Sequence, residues 1–266
     1  MRAAICKAFD GPDAVTLEEV DDPVAGSDEV VVTVGAAALN FFDTLLVRNR
    51  YQYKPELPFS PCAEMAGTVE SVGPGVNGFS AGDRVVAYLK WGCAREKVVA
   101  PVEQLVKVPD AVDDVVASGL IVTYGTAMHG LKDRGNLQPG ETVAVLGASG
   151  GAGLAAVEVA KRLGARVIAV ASSEEKLAVC KAHGADDLLN YSQGDLKQDL
   201  KDFTDGRGVD VVYDCVGGPY AEPAVRAMAW GGRFLVIGFA AGEVPKIPLN
   251  LALLKGCALV GVFWGA

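Results

Sequence analysis

The stretch Thr142-Val143-Ala144-Val145-Leu146-Gly147-Ala148-Ser149-Gly150-Gly151-Ala152-Gly153 constrains this chain more than any other part of it. A buried-type strand runs straight into a glycine turn, and the helical sequence Leu154-Ala155-Ala156-Val157-Glu158-Val159-Ala160 follows at once. That context is the one a dinucleotide fingerprint needs. Gly150 lets backbone amides approach a pyrophosphate, and Gly153 lets the helix pack closely on the sheet. The helix amino terminus favours negative charge. Ser149, Gly151 and Ala152 complete the turn, while Ala148 stands where the commonest form has its first glycine. A glycine turn without a ligand is the plainer reading, and the β-α units that follow argue against it.

From residue 142 onward strands and helices alternate, as expected for a doubly wound parallel sheet. Strands are predicted at 142–146, 166–170, 187–189, 209–213, 233–237 and 258–262, with helices at 151–163, 174–183, 195–203 and 220–229. Up to about residue 110 the texture differs. Short valine-rich runs at 29–34, 67–72, 83–88 and 96–99 are separated by glycine and proline turns, which predicts a β-rich domain. Asn40 caps a run with helical apolar spacing to Val47, so a short helix is expected there. A length of 266 residues suits two domains, here 1–118 and 119–266.

Cofactor choice is read at the end of the second strand of the parallel sheet, where an NAD site usually places Asp or Glu on the ribose 2′-hydroxyl. Ala171 stands there, followed by Ser172-Ser173 and then Lys176. These residues would tolerate and neutralise a 2′-phosphate, so NADPH is the expected cofactor. Ser172 also fits a capping box with Glu175, and Lys176 also fits a solvated helix face.

Net charge and composition narrow the partners. A charge of −9 with no local Lys/Arg cluster disfavours nucleic acid. No apolar run is long enough to span a bilayer, so no membrane role is expected. The six cysteines form no C-x-x-C pair and read as reduced thiols. The amino terminus has no leader pattern, which predicts a cytoplasmic location.

Several dispersed motifs then carry a resemblance across essentially the whole chain. They are Ala38-Leu39-Asn40-Phe41-Phe42-Asp43-Thr44, Gly78-Phe79-Ser80-Ala81-Gly82-Asp83-Arg84-Val85, Val122-Thr123-Tyr124-Gly125-Thr126-Ala127, the glycine turn, and Asp214-Cys215-Val216-Gly217-Gly218. With these the chain resembles the quinone oxidoreductase and zeta-crystallin branch of the medium-chain dehydrogenase/reductase superfamily. Ala144 and Glu158 depart from that branch's usual Leu and Gln.

The resemblance implies an α/β chain with a GroES-like β-rich catalytic domain followed by a Rossmann domain, and a homodimer. It implies that Lys176 and Tyr191 contact the 2′-phosphate and that Thr123 lies beside the cofactor. Gly217, Gly238, Phe239 and Phe263 would line the cofactor's path, with Asn40, Asp43 and Tyr51 near the nicotinamide. Asn40 also reads as a helix cap, Asp43 as a first-turn dipole partner and Tyr51 as packing.

Asn40 stands where zinc-dependent relatives carry their first catalytic cysteine, and Ala63 where they carry a ligand histidine, so no catalytic zinc is expected. The 89–94 turn is too short for a four-cysteine structural lobe. His129 and His183 read as structural residues of helices. The implied activity is hydride transfer from NADPH to a quinone. Reduction of an enone or enoyl thioester, NADPH binding with little turnover, and a zinc alcohol dehydrogenase remain as alternatives. The family continues with a helix and strands that return to the first domain, and the apolar end Val262-Phe263-Trp264-Gly265-Ala266 suggests a fragment that lacks them.

Overall fold

The structure is a computed structural model that describes Met1 to Gly265. The chain divides into two compact units between Val122 and Thr123, a few residues beyond the boundary after 118 that the sequence suggests.

The first unit is β-rich. Strands β1 (Arg2–Cys6) and β2 (Val15–Glu19) form an antiparallel pair. A five-stranded antiparallel sheet is built from β3 (Glu29–Ala38), β4 (Glu64–Val72), β5 (Arg84–Tyr88), β6 (Lys97–Pro101) and β7 (Leu105–Lys107), in the order β6-β3-β4-β5-β7. Val30, Val32, Met65, Val69, Val85, Ala87, Val98 and Ala100 alternate inward to form its core. β3 and β4 are longer than the valine runs suggest, because the small residues Ala36, Ala37 and Ala38 continue the ladder opposite Ala66, Met65 and Glu64. That extension delivers Glu64 into the region of helix α1 (Phe41–Leu46). A second short helix, α2 (Asp114–Ser118), packs on β3 and β4.

Helix α3 (Leu120–Met128) is followed by a π-helical stretch, His129–Arg134. The second unit is built on six parallel strands: β8 (Thr142–Leu146), β9 (Arg166–Ala171), β10 (Asp187–Asn190), β11 (Val209–Asp214), β12 (Met228–Val236) and β13 (Ala258–Gly261). Their order is β10-β9-β8-β11-β12-β13. The connecting helices are α4 (Gly151–Arg162), α5 (Glu174–Ala182), α6 (Leu196–Asp202), α7 (Ala221–Ala227) and α8 (Leu249–Lys255). β8 is buried at every residue, as a strand covered on both faces must be. Strand order reverses between β8 and β11, and this is the switch point beside whose carboxyl ends open parallel sheets receive their ligands.

One helix differs from its sequence reading. The run 220–229 is helical only over Ala221–Ala227, and Met228 already begins β12. Met228 pairs with Val209, after which the register slips so that Arg233 pairs with Val211. The glycines Gly231 and Gly232 let the strand make that bend. Helix α8 and the edge strand β2 are not anticipated by the sequence pattern.

Candidate functional site

At the end of β8 the chain turns on Gly147, whose φ of 74° lies in the left-handed region. A side chain there would also meet Val216 Cγ2 at 2.8 Å. The tight-turn role thus falls one residue ahead of Ala148, whose methyl is buried in the core. Sequence reading does not single out Gly147 as a site residue; a glycine directly after an apolar strand is the signal that marks it. Both the Gly147 and Ala148 amides donate to the Val170 carbonyl of β9, at 3.0 and 3.2 Å.

Gly150 is the N-cap of α4, and no side chain caps the helix. The first-turn amides of Gly151, Ala152 and Gly153 therefore have no intrahelical acceptor. A Cβ at Gly153 would lie 2.2 Å from the Gly147 carbonyl oxygen, so only glycine lets the helix seat on the turn. A Cβ at Gly150 would meet only that same oxygen, at 3.4 Å. Uncapped amides behind an unobstructed Gly150 are the donor set that fits a pyrophosphate. Thr123 belongs to the same arrangement, since its Cγ2 would lie 3.5 Å from a Cβ on Gly151.

The end of β9 gathers the next group. Lys176 Nζ donates to Ser172 Oγ at 2.9 Å, which places the ammonium beside Ala171 at the strand's end. The cap of α5 is Ser173, not Ser172: its hydroxyl accepts from the Lys176 amide. Ser172 is consequently released from capping and faces Lys176. Asn190 pairs across from Ala171, and the Tyr191 amide donates to the Ala171 carbonyl at 3.1 Å, so Tyr191 leaves the sheet next to Ser172. Its ring packs against Tyr220 with centroids 4.4 Å apart.

Across the sheet, buried Asp214 ends β11 and accepts from the Val216 and Gly217 amides at 2.8 and 2.9 Å. Burial raises this carboxyl above the usual range, with the two amides opposing the shift. Gly217 has φ 67°, and a side chain on it would strike the Phe239 ring at 2.9 Å. The Gly238 amide donates to the Asp214 carbonyl, and those of Ala240 and Ala241 to the carbonyls of Cys215 and Val216. Gly217, Gly238 and Phe239 therefore form one interlocked pair of loops, with Asp214 as a latch that its sequence motif does not single out. Phe239 is 38% exposed and Phe263, after β13, is 44% exposed.

In the first unit Asn40, Asp43 and Tyr51 come together around α1. Asp43 is 4% exposed and accepts from the Asn40 amide at 2.8 Å and the Cys62 amide at 3.0 Å. Burial lifts its carboxyl to about 6. Asn40 Nδ2 donates to Glu64 Oε1 at 2.9 Å, and the Val122 amide donates to Glu64 Oε2 at 2.8 Å. Glu64, fully buried, is the organising partner that sequence reading does not identify; burial raises its carboxyl too. Tyr51 stacks on Phe42 at 5.0 Å and meets Tyr53 edge-on at 5.4 Å; burial pushes its hydroxyl up to about 12.

Ala63 is buried between Cys62 and Glu64, and burial pushes the Cys62 thiol up to about 12. Among the described residues no three His, Cys, Asp or Glu side chains converge in a way that could hold a metal ion. His129 pairs with Asp133, whereas His183 caps α5 and meets Glu158, which also accepts from the Tyr124 hydroxyl at 2.6 Å.

Comparison with known proteins identifies the family. Residues 26–110 match the family model of the alcohol dehydrogenase GroES-like domain, and residues 151–266 that of zinc-binding dehydrogenase. A quinone oxidoreductase-like protein 2 homolog from Nematostella vectensis is 40% identical over all of this chain, which spans 73% of that protein. The quinone oxidoreductase of Pseudomonas syringae superposes with a TM-score of 0.93 at 33% identity, covering 100% of this chain and 82% of that one. The quinone oxidoreductase of Thermus thermophilus, solved also as its NADPH complex, gives 0.85 at 33% identity, covering 99% and 80%. With both domain models matched in order, and with a 40%-identical relative covered over nearly three quarters of its length, the chain belongs to the medium-chain dehydrogenase/reductase superfamily, in the branch of the quinone oxidoreductases.

Proposed function

We propose that this protein is a zinc-independent, NADPH-dependent oxidoreductase that passes hydride to a quinone or a similar conjugated carbonyl. The observation that carries the cofactor choice is the Lys176 ammonium held on Ser172 Oγ at 2.9 Å, where an NAD site would have a carboxylate and this chain has Ala171. An ammonium and a hydroxyl at that corner suit a 2′-phosphate, and Tyr191 supplies the adjoining wall. The amides of Gly151, Ala152 and Gly153 would hold the pyrophosphate, with Thr123 beside them. Gly217, Gly238, Phe239 and Phe263 would line the remaining path.

When bound, NADPH supplies the hydride, and a conjugated acceptor takes it without a strong Lewis acid because its developing charge spreads over the carbonyl oxygens. Tyr51 keeps its proton far above neutral pH and can present it as a donor to an acceptor oxygen. Asn40 and Asp43 position α1: each is committed to Glu64 or to backbone amides, so their part is to hold the segment that carries Phe42 and leads to Tyr51. The zinc-free reading is supported by Asn40 and Ala63 at the two ligand positions and by the use of both Glu64 oxygens in hydrogen bonds. The free thiols suit a reducing compartment, and the cytoplasm is the location proposed. No helix is long and apolar enough to cross a membrane among the described residues. A homodimer is proposed from the resemblance to this family. Sedimentation of the purified chain tests it; a monomer would remove that part.

The test of the activity is NADPH oxidation measured against quinones, enones and enoyl thioesters side by side. Turnover is expected with quinones. Turnover confined to enones or thioesters would replace the acceptor, and normal NADPH binding without any turnover would reduce the function to binding.

A further inference from the structure

The turn after β5 carries a cation whose placement the proposed reaction does not use. Lys90 is exposed and sits in the left-handed region at φ 69°, and Trp91 follows it half-buried. This turn is tied along the 60–63 segment: the amides of Leu89, Gly92, Cys93 and Ala94 donate to the carbonyls of Ala63, Ser60, Cys62 and Pro61. The same segment is held from the other side by Asp43, through the Cys62 amide. Lys90 is therefore anchored to the strip of backbone that also fixes α1.

A run of aromatic contacts connects the two. Phe42, next to Asp43, stacks on Tyr51; Tyr51 meets Tyr53; and Lys90 Nζ lies 5.4 Å from the centre of the Tyr53 ring. Trp91 lies 6.3 Å from Tyr53, and the Tyr53 and Tyr88 hydroxyls are 3.5 Å apart. A flat conjugated molecule packs well on such rings, which prefer offset or edge contacts with other π systems. Over Tyr53 the ammonium is kept near the rings, yet among the described residues it forms no ion pair. In a chain of net charge −9 this is a local positive point at the end of an aromatic wall.

We propose that Lys90 is a specificity-determining residue that favours conjugated carbonyl acceptors bearing an anionic substituent, such as a sulfonate or carboxylate, over neutral ones. This rests on the acceptor lying along Tyr51, as in the function proposed above. The acceptor's ring lies against Tyr51 and Tyr53, and its anionic group reaches Lys90. An exposed pair of this kind changes affinity by roughly fivefold and weakens as salt is added.

The test compares naphthoquinone with its sulfonate, using NADPH oxidation and, separately, quenching of tryptophan fluorescence as a measure of quinone binding. In the unsubstituted protein the sulfonate is expected to have the higher kcat/KM and the tighter binding at low ionic strength. Lys90→Gln should lower the sulfonate-to-neutral ratio roughly fivefold, and Lys90→Glu should lower it further, with the preference vanishing in high salt. An unchanged ratio, or an equal loss for both quinones, would overturn the proposal and leave Lys90 as a structural lid on Tyr53. Charge-selective binding with no turnover of either quinone would instead sink the proposed reaction and keep the role of Lys90. Melting temperatures of both variants show whether any loss is one of folding.

Discussion

At the end of β8 the groups offered to a ligand are backbone amides, whereas around α1 the side chains of Asn40, Asp43 and Glu64 are tied to one another and to backbone amides from other stretches of the first unit. The glycine turn is built mainly from local instructions, an apolar strand, Gly147 to reverse direction and Gly153 to seat the helix, with the Val170 carbonyl of β9 holding its first amides. The α1 region needs Asn40 and Asp43 to meet Cys62 and Glu64, and a backbone amide from Val122 besides. The first arrangement concentrates its constraint at Gly147 and Gly153, where a Cβ has no room. The second spreads its tolerance over many residues and is held by burial.

Substitutions at the turn should separate folding from binding. Gly153→Val should have the largest effect, since its side chain would drive into the Gly147 carbonyl; lost NADPH binding and a loss of roughly 3 kcal/mol or more in stability are expected by calorimetry. Gly150→Val should keep its melting temperature within a few degrees, because a Cβ there would meet only the Gly147 carbonyl oxygen, at an ordinary contact distance of 3.4 Å, and still lose NADPH binding by roughly a hundredfold or more. Retained affinity in that variant would remove the pyrophosphate from the turn.

Around α1 the informative variable is pH. Burial raises the Asp43 carboxyl from 3.8 to about 6, so the folded chain binds that proton more tightly than the unfolded one. The resulting stabilisation is complete below the unfolded value and is lost as pH rises through about 6, by roughly 3 kcal/mol. Asp43→Asn should flatten the stability profile in that window, and a slope equal to that of the parent would show that the carboxyl is not desolvated as described.

Lys176→Ala is expected to weaken NADPH about tenfold and NADH hardly at all, as read by fluorescence titration; equal losses would end the 2′-phosphate assignment. The smallest effect belongs to chelator treatment, which should leave NADPH oxidation where it was, and a loss restored by zinc would return a metal to the α1 region.

The contrast also explains what can be read from sequence. β8, the turn, α4 and the absence of an acid at Ala171 are local patterns with a direct physical meaning, and each is legible. Ser173 displaces Ser172 as the α5 cap because the choice between adjacent serines depends on where β9 stops. Glu64 and Asp214 are not legible as organisers, since their partners are set by strand pairing and loop interlocking. Likewise, the extension of β3 through its alanines becomes visible only once β4 lies beside it.

The carbonyl of Val170 takes the amides of both Gly147 and Ala148, and the Gly147 carbonyl takes that of Gly150. The early donors of the turn are thereby spent on β9 and on the turn itself, while those of α4's first turn, which no helix satisfies from within, are left to a ligand. A one-residue slip between β8 and β9 would move the Val170 carbonyl away from the Gly147 and Ala148 amides and shift where the turn holds α4, without altering a single side chain in the loop. The place at which an anion can be received therefore depends on the register of two strands as well as on the glycines, and changes to the β8–β9 pairing should displace it even when every glycine is kept.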